Sequence, residues 1–431
     1  MMLTDHVAQQ GCTAPGFWDK SLLRVKAKAH WAFALIQRGI ARLVRLLPGM
    51  AKLLGLPKKR IHLLRRWVDK NREPLDWWLR CHGPYYEMAQ APFQETGFVK
   101  PRCVVSDQRH LLVSGGRYYV HGEVFLAGIP KARVLGPTGV VITPDHGVVV
   151  ESAWAMGWLE KDRALTSWRL PKPEALAGNY FTIASQFSDC YAHWLLDALP
   201  RLSLLDRAPV DGLQIIVSGA LSKWQQESLA MLGLDYLPLL SLENRYLELE
   251  VLHFPSFVGK PGSPHPAACQ WLKDRMLNGY KAERATRRLY ITRRLAGRRH
   301  VLNEAELEPI LADYGFEIIE AETLSFRDQV QLFSQAEAVA GPHGAGFTNL
   351  VFAPPGCRVL EMFAPTCFRW MYYHLASVMR QEYWYLAGNR AAPANPLHQD
   401  SGFDNLYVSP RDFELSLKDM VGRYHWAESK L

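Results

Sequence analysis

Two apolar rhythms divide the body of this chain. From about Cys103 to Val150 the hydrophobic residues come in short runs, "CVVSD", "HLLVSGG", "RYYVHGEVFLAG" and "GVVITPDHGVVVES", broken by Gly, Asp and Pro. That punctuation predicts β-strands. From about Asn179 the spacing changes to alternating helices and strands. "SDCYAHWLLDALPRLSLLD" (188–206) reads as a helix and "LQIIVSG" (213–219) as a buried strand. "SKWQQESLAMLGL" is a helix opening at Ser222 and closing near Gly233. "LEVLHFPSFV" (249–258) predicts a strand, and "HPAACQWLKDRMLNGY" (265–280) a helix.

The same alternation continues to the end of the patterned region. "RLYITR" is a strand, followed by the helix "NEAELEPILADYG", with Asn303 as its cap, Glu306 at the capping-box position and Gly315 at its end. The strand "FEIIEAE" precedes a helix capped by Ser325. "AVAG" (338–341) is a strand, "FTNLVFAP" a short helix and "CRVLEMF" a strand. Regular alternation predicts an α/β fold with a parallel sheet.

A third pattern precedes these. From about Lys28 to Leu47 the residues Phe33, Ile36, Ile40, Leu43, Val44 and Leu47 fall on one helical face, with Arg38, Arg42 and Arg45 opposite. Residues 20–72 hold fifteen Lys/Arg and one acid, Asp69. That segment carries +14 of a chain total of +8, so the remainder sums to −6. A basic amphipathic arm of this kind suits an anionic membrane surface. The alternative is a helix that packs its apolar face on its own protein. Nucleic acid is disfavoured, because no binding module is visible and the body is acidic.

The 431 residues exceed one ordinary domain, and 48% hydrophobic with 21% charged residues is a globular composition. No uncharged apolar run reaches the roughly 18 residues that span a bilayer. Seven dispersed cysteines without a C-x-x-C pair, no N-x-[ST] sequon and no basic-then-apolar leader set the expectation of a reduced, cytoplasmic protein.

Candidate chemistry concentrates in "AVAGPHGAGFTNLVF". A strand ending at Gly341 and a helix beginning near Thr348 would set Pro342, His343, Gly344, Ala345 and Gly346 beyond the carboxyl edge of a sheet, where ligands bind. Glycines let backbone N–H groups approach an anion, and a helix N-terminus favours one. His343 would donate to a phosphate oxygen, and Arg293 and Arg299 would converge on the same edge. The plainer alternative is a tight strand–helix turn with His343 as a cap.

These residues also carry a resemblance. Arg293, Arg298-Arg299, Asn303-Glu304, Glu322-Thr323-Leu324-Ser325, Gln329, the run from His343 to Gly346, and Asn349 resemble the C-terminal pattern of glycosyltransferase family 61, with Thr292 in place of the usual Ser. "HWLLDALPRL" (193–202) resembles the family's other signature. The similarity spans roughly residues 178–420.

The resemblance implies a glycosyltransferase-B fold, two Rossmann-like lobes facing a cleft, here with the basic helical arm added. The expected organisation is arm 1–80, N-terminal lobe 81–282 and C-terminal nucleotide-sugar lobe 283–431. It further implies an inverting transfer from a nucleotide-diphosphate sugar, with UDP as the family-level nucleotide. Neither cofactor nor metal is expected, in keeping with the absence of any D-x-D. Asn349 belongs with the donor-binding set. Glu361 is expected either to accept from ribose hydroxyls or to be an exposed strand-end charge.

Inverting transfer needs a base to take the acceptor's proton. Asp197 is the candidate, with His193 as positioner or alternative base. His193, Asp197 and Arg201 share one helical face, and Pro200 predicts a kink or restart there. An Asp197–Arg201 ion pair bracing the helix is the structural alternative.

The expected activity is extension of a cell-envelope glycan, such as capsule or lipopolysaccharide, on a glycan or lipid-linked acceptor at the inner membrane face. The competing expectation is a nucleotide-sugar-binding scaffold without catalysis.

Overall fold

The short-run and alternating patterns build two different sheets. The computed structural model describes residues 101–108, 124–154, 159, 161–167, 170–208, 212–258, 263–280, 284–364, 368–390 and 404–422, with two further strands at Ile61–His62 and Leu79–Arg80. The expected amphipathic arm, 1–80, otherwise lies outside the described residues, as do "HLLVSGG" and the start of "RYYVHGEVFLAG".

The first sheet has ten strands: β1 (Ile61–His62), β2 (Leu79–Arg80), β3 (Phe125–Pro130), β4 (Arg133–Leu135), β5 (Val140–Ile142), β6 (Val148–Val149), β7 (Glu174–Thr182), β8 (Gln214–Val217), β9 (Leu239–Ser241) and β10 (Tyr246–Pro255). Their order is β1-β6-β5-β4-β10-β7-β8-β9, with β3 pairing β10 and β2. On one side β10 pairs antiparallel with β3 and β4; on the other it is parallel to β7. The run β10-β7-β8-β9 therefore has the all-parallel character expected of a Rossmann-like half. The loops joining β4 to β5 and β5 to β6 are too short for a crossover, so those neighbours pair antiparallel, whereas β6 is parallel to β1.

The second sheet is parallel throughout: β11 (Arg287–Ile291), β12 (Phe316–Ile319), β13 (Ala336–Pro342), β14 (Arg358–Phe363) and β15 (Glu382–Ala387), in the order β12-β11-β13-β14-β15. This order turns back on itself between β11 and β13. Such a switch point opens a crevice at the carboxyl ends of the two strands.

Among the described residues, six α-helices of eight or more residues cover the sheets: α1 (Lys223–Met231), α2 (Pro266–Met276), α3 (Glu304–Asp313), α4 (Phe326–Ser334), α5 (Met371–Val378) and α6 (Pro410–Val421). Several ends follow the sequence signals. Gln225 accepts from the Ser222 backbone N–H at 2.9 Å, Ser325 accepts from Asp328 N–H at 3.1 Å, and Gly315 takes φ +70° after α3. Asn303 departs from its expected role as a side-chain cap. Its amide instead donates to Val408 O at 2.8 Å and accepts from Val408 N–H at 3.0 Å, tying α3 to the segment ahead of α6. Glu306 accepts from Tyr407 OH at 3.0 Å in the same seam.

Leu307, Leu311, Phe413 and Leu417 of α3 and α6 pack on one face of the second sheet. The other face shares a single apolar cluster with the first half of the chain: Trp194, Leu196, Leu229 and Leu272 lie with Phe326, Val330, Phe347 and Leu350. Full burial of such side chains is worth roughly 1.5–3 kcal/mol each, so the two sheets are held together by core as well as by chain. Residues 101–108 strengthen the connection. Arg102, expected with the first unit, bridges Trp384 of β15, and Gln108 bonds both Ala387 N and Ala387 O. "CVVSD" is accordingly no strand; the bridge is followed by a 3-10 turn, Ser106–Gln108.

Candidate functional site

The predicted helix at 188–206 forms in three pieces. An α-turn, Tyr191–His193, passes into a π-helical turn, Trp194–Ala198, and then into a 3-10 helix, Leu199–Arg207. Pro200 supplies the reason. It has no N–H, and its ring crowds the carbonyl of Leu196 in a regular helix. The wider turn, in which Leu199 N–H reaches back to Trp194 O, removes that clash.

The π-turn carries Asp197 inward. Its side chain is only 3% exposed, whereas that of His193 is 21% exposed. Asp197 Oδ2 lies 2.7 Å from His193 Nδ1 and accepts from Trp154 Nε1–H at 3.1 Å. A carboxylate oxygen only accepts, so Nδ1 carries the proton and the lone pair of a neutral imidazole sits on Nε2. Arg201 points elsewhere. Its guanidinium donates to Pro255 O at 2.7 Å and Ala184 O at 3.1 Å and lies over Phe254 and Phe257. Burial lowers its pKa to about 9, against the attraction of Asp197. Carbonyls and rings, in place of the alternative of an Asp197–Arg201 ion pair, fix this arginine.

The glycine segment also differs from its predicted boundaries. β13 continues through Pro342, and a 3-10 helix, Ala345–Val351, starts at once, leaving His343 and Gly344 as the only connection. The short helix expected from Thr348 thus begins three residues earlier, at Ala345, and is 3-10 in form. Gly341 takes φ +156°, and a Cβ there would meet Ile291 O at 2.6 Å. A Cβ on Gly346 would meet Ile291 Cγ2 at 3.0 Å, so both glycines serve close packing against β11. At Gly344 the missing Cβ leaves room for Arg293 Nη1, 2.1 Å from where that Cβ would stand. Pro342, His343 and Gly344 are buried, while Ala345 and Gly346 are partly exposed.

Arg293 and His343 thus meet at the carboxyl ends of β11 and β13, the switch point of the sheet. Desolvation, then the charge of Arg299, lowers the Arg293 pKa to about 10; Glu322 opposes this and Arg298 adds to it. Arg293 Nε donates to Arg298 O at 3.2 Å, and Arg299 is held at φ +60°. Positive charge is crowded here at an electrostatic cost that an anion would relieve.

Two expected donor-binding residues occupy other positions. Glu361 is fully buried, neither exposed nor open to a ribose: one carboxylate oxygen bonds His343 Nδ1 and the other Tyr383 OH. Burial and this carboxylate push the Tyr383 phenol well above its ordinary pKa. The His343 ring stacks on Phe363. Asn349 is likewise fully buried. It accepts from Tyr191 OH at 2.6 Å and donates to Gln329 Oε1 at 2.8 Å. This chain joins the segment that bears His193 to the element that follows His343.

The sequence reading missed Trp154, Tyr191, Tyr372 and Tyr383. Only Tyr191 had a local signal, lying two residues before His193; the others reach the site solely through the fold. Among the described residues, no group of three or more His, Cys, Asp or Glu side chains is arranged to hold a metal ion, and no helix is long and apolar enough to cross a membrane. A surface cavity of about 630 Å³ lies along β12 and α4, lined by Arg287, Glu308, Glu320 and Gln331 among others. It contains none of the expected site residues, and its salt-bridged walls mark it as a groove at the edge of the sheet.

The mixed α/β chain thus carries a buried Asp197 bonded to a partly exposed His193, and a cationic switch point at Arg293. Residues 191–360 match the family model described as Glycosyltransferase 61. The family that the sequence motifs resemble is thus the family whose model matches this segment. A search of curated proteins returned no significant match.

Proposed function

We propose that the protein is an inverting, metal-independent glycosyltransferase of glycosyltransferase-B type, in which each sheet is the centre of one lobe. The donor is a nucleotide-diphosphate sugar, with UDP the first choice. The acceptor is a hydroxyl of a cell-envelope glycan or lipid-linked glycan. The observation that carries this reading is the His193–Asp197 pair, partly exposed imidazole outside and buried carboxylate inside, on a segment packed against Ala345–Val351.

His193 is the base in this account and Asp197 its positioning residue, the reverse of the order suggested by sequence. The reason is access: Asp197 Oδ2 already takes two N–H groups, whereas His193 Nε2 has its lone pair free for the acceptor. As the acceptor oxygen bonds to the anomeric carbon, its proton passes to Nε2 and the bond from that carbon to the diphosphate oxygen breaks. Arg293, Arg299 and the His343 ring meet the departing charge, and buried Glu361, bonded to His343 Nδ1, orients that ring. Interaction of this kind needs no divalent cation, so full activity is expected in excess chelator.

His193→Ala should reduce transfer about 10²–10⁴-fold, while calorimetry finds UDP affinity unchanged. Near-normal turnover would remove His193 from the mechanism. The basic segment 20–72 supports a place on the anionic inner membrane face. Deleting residues 1–72 should release the protein from the membrane fraction; continued sedimentation would assign that role to another surface.

A further inference from the structure

His193 stands within a small aromatic group. Its ring centroid is 5.3 Å from that of Trp154, at 85° between planes, and 5.6 Å from that of Phe187, at 38°. Trp154 and Phe187 meet edge to face at 5.4 Å. Both side chains remain partly exposed, so their outer surfaces border the imidazole that faces the acceptor.

Phe187 is held there against its own preference. Its φ is +68°, a region that a bulky residue rarely enters and that persists only where the surroundings enforce it. Ser218 supplies the enforcement. It accepts from Ser185 N–H at 3.1 Å and from Ser188 Oγ–H at 2.8 Å, and donates to Ser185 O at 3.0 Å. Gln225 of α1 adds a bond to Ser188 O at 3.0 Å. Five residues after β7 are thereby locked into a turn that presents one phenyl ring beside His193. Trp154 is locked by its bond to Asp197. Neither ring belongs to the segment that matches the family model, which begins at residue 191.

We infer that Trp154 and Phe187 form the acceptor subsite, a platform on which the apolar face of a pyranose ring lies while one of its hydroxyls reaches His193 Nε2. The C–H bonds of a pyranose face are weakly positive and the faces of aromatic rings weakly negative, which makes the two complementary. The platform selects a sugar acceptor over a peptide hydroxyl. The inference rests on His193 marking the acceptor side.

Saturation-transfer NMR with methyl β-glucopyranoside, methyl β-galactopyranoside and methyl α-mannopyranoside tests it without turnover. Wild-type protein should transfer saturation to ring C–H protons of at least one probe. Phe187→Tyr, which keeps a ring, should retain the effect. Phe187→Asn, which suits the left-handed turn but lacks the ring, should weaken binding at least tenfold with UDP affinity and melting temperature maintained. Absence of transfer to every probe, or equal transfer in Phe187→Asn, would overturn the platform. Because binding alone is read, a failed base assignment leaves this result standing, and the turnover of His193→Ala is likewise independent of it.

Discussion

At the scale of single residues, the three glycines of "GPHGAG" separate by what their missing Cβ would touch. At Gly344 it would touch the end of a flexible arginine; at Gly341 it would touch backbone. Gly344→Ala should therefore leave stability within about 0.5 kcal/mol of wild type and lower UDP affinity about tenfold by displacing Arg293. Gly341→Ala should cost about 1–3 kcal/mol in a denaturant melt. The reverse pattern would mean that the Gly344 gap serves packing only. Histidines outside the site make a second prediction. Burial lowers both His253 and His265 from 6.5 to about 4. The unfolded chain thus binds more protons between those values. Their contribution is complete above about pH 6.5 and disappears as the pH falls toward 4, at up to roughly 1.4 kcal/mol per unit for each group. Melting temperature should drop through that window, and His253→Gln should flatten the drop. His193, Asp197, Arg293 and His343 can be singled out by motif in the sequence, but which of them are buried cannot. Asn349 and Glu361 stand in family motifs or strand ends, yet serve as buried connectors. A motif preserves architecture and chemistry alike, and only burial distinguishes them.

At the scale of elements, the apolar periods mark β11 to β14, α3 and α4, because each of those parallel strands is a buried run bounded by a helix with a clear start; β15, α5 and α6 are not among the elements they place. Two boundaries were not legible. The strand at 336–342 runs past its glycine because φ +156° still allows ladder pairing. The 188–206 helix breaks where Pro200 says it should, but no sequence signal distinguishes a kink from a π-turn that buries Asp197. The antiparallel flank, β3 to β6, was read as strands without a topology, since short strands do not announce their neighbours. The Tyr191–Asn349–Gln329 chain crosses between elements that were assigned to separate lobes. Tyr191→Phe should cost about 1–3 kcal/mol by stranding the buried Asn349 oxygen and should lower kcat more than donor KM, since it loosens the segment that bears His193. An unchanged kcat would reduce that chain to a structural tie.

For the whole molecule, a single apolar cluster runs from Trp194 through Leu272 to Phe347, with Glu227 accepting from Phe326 N–H at 2.7 Å and Lys273 donating to Ala353 O at 2.6 Å across the same junction. The described parts of the two sheets should consequently melt together. Scanning calorimetry should show one transition with matching calorimetric and van't Hoff enthalpies; two resolved transitions would mean that the junction is weaker than its packing implies. The same junction packs the segment bearing His193 against the element that follows His343, and the proposed mechanism rests on that relation. The most direct test measures sugar transfer and UDP binding on the same preparation of His193→Ala, beside wild type. The account predicts a transfer rate lower by about two to four orders of magnitude at an unchanged Kd. Transfer at the wild-type rate would contradict it.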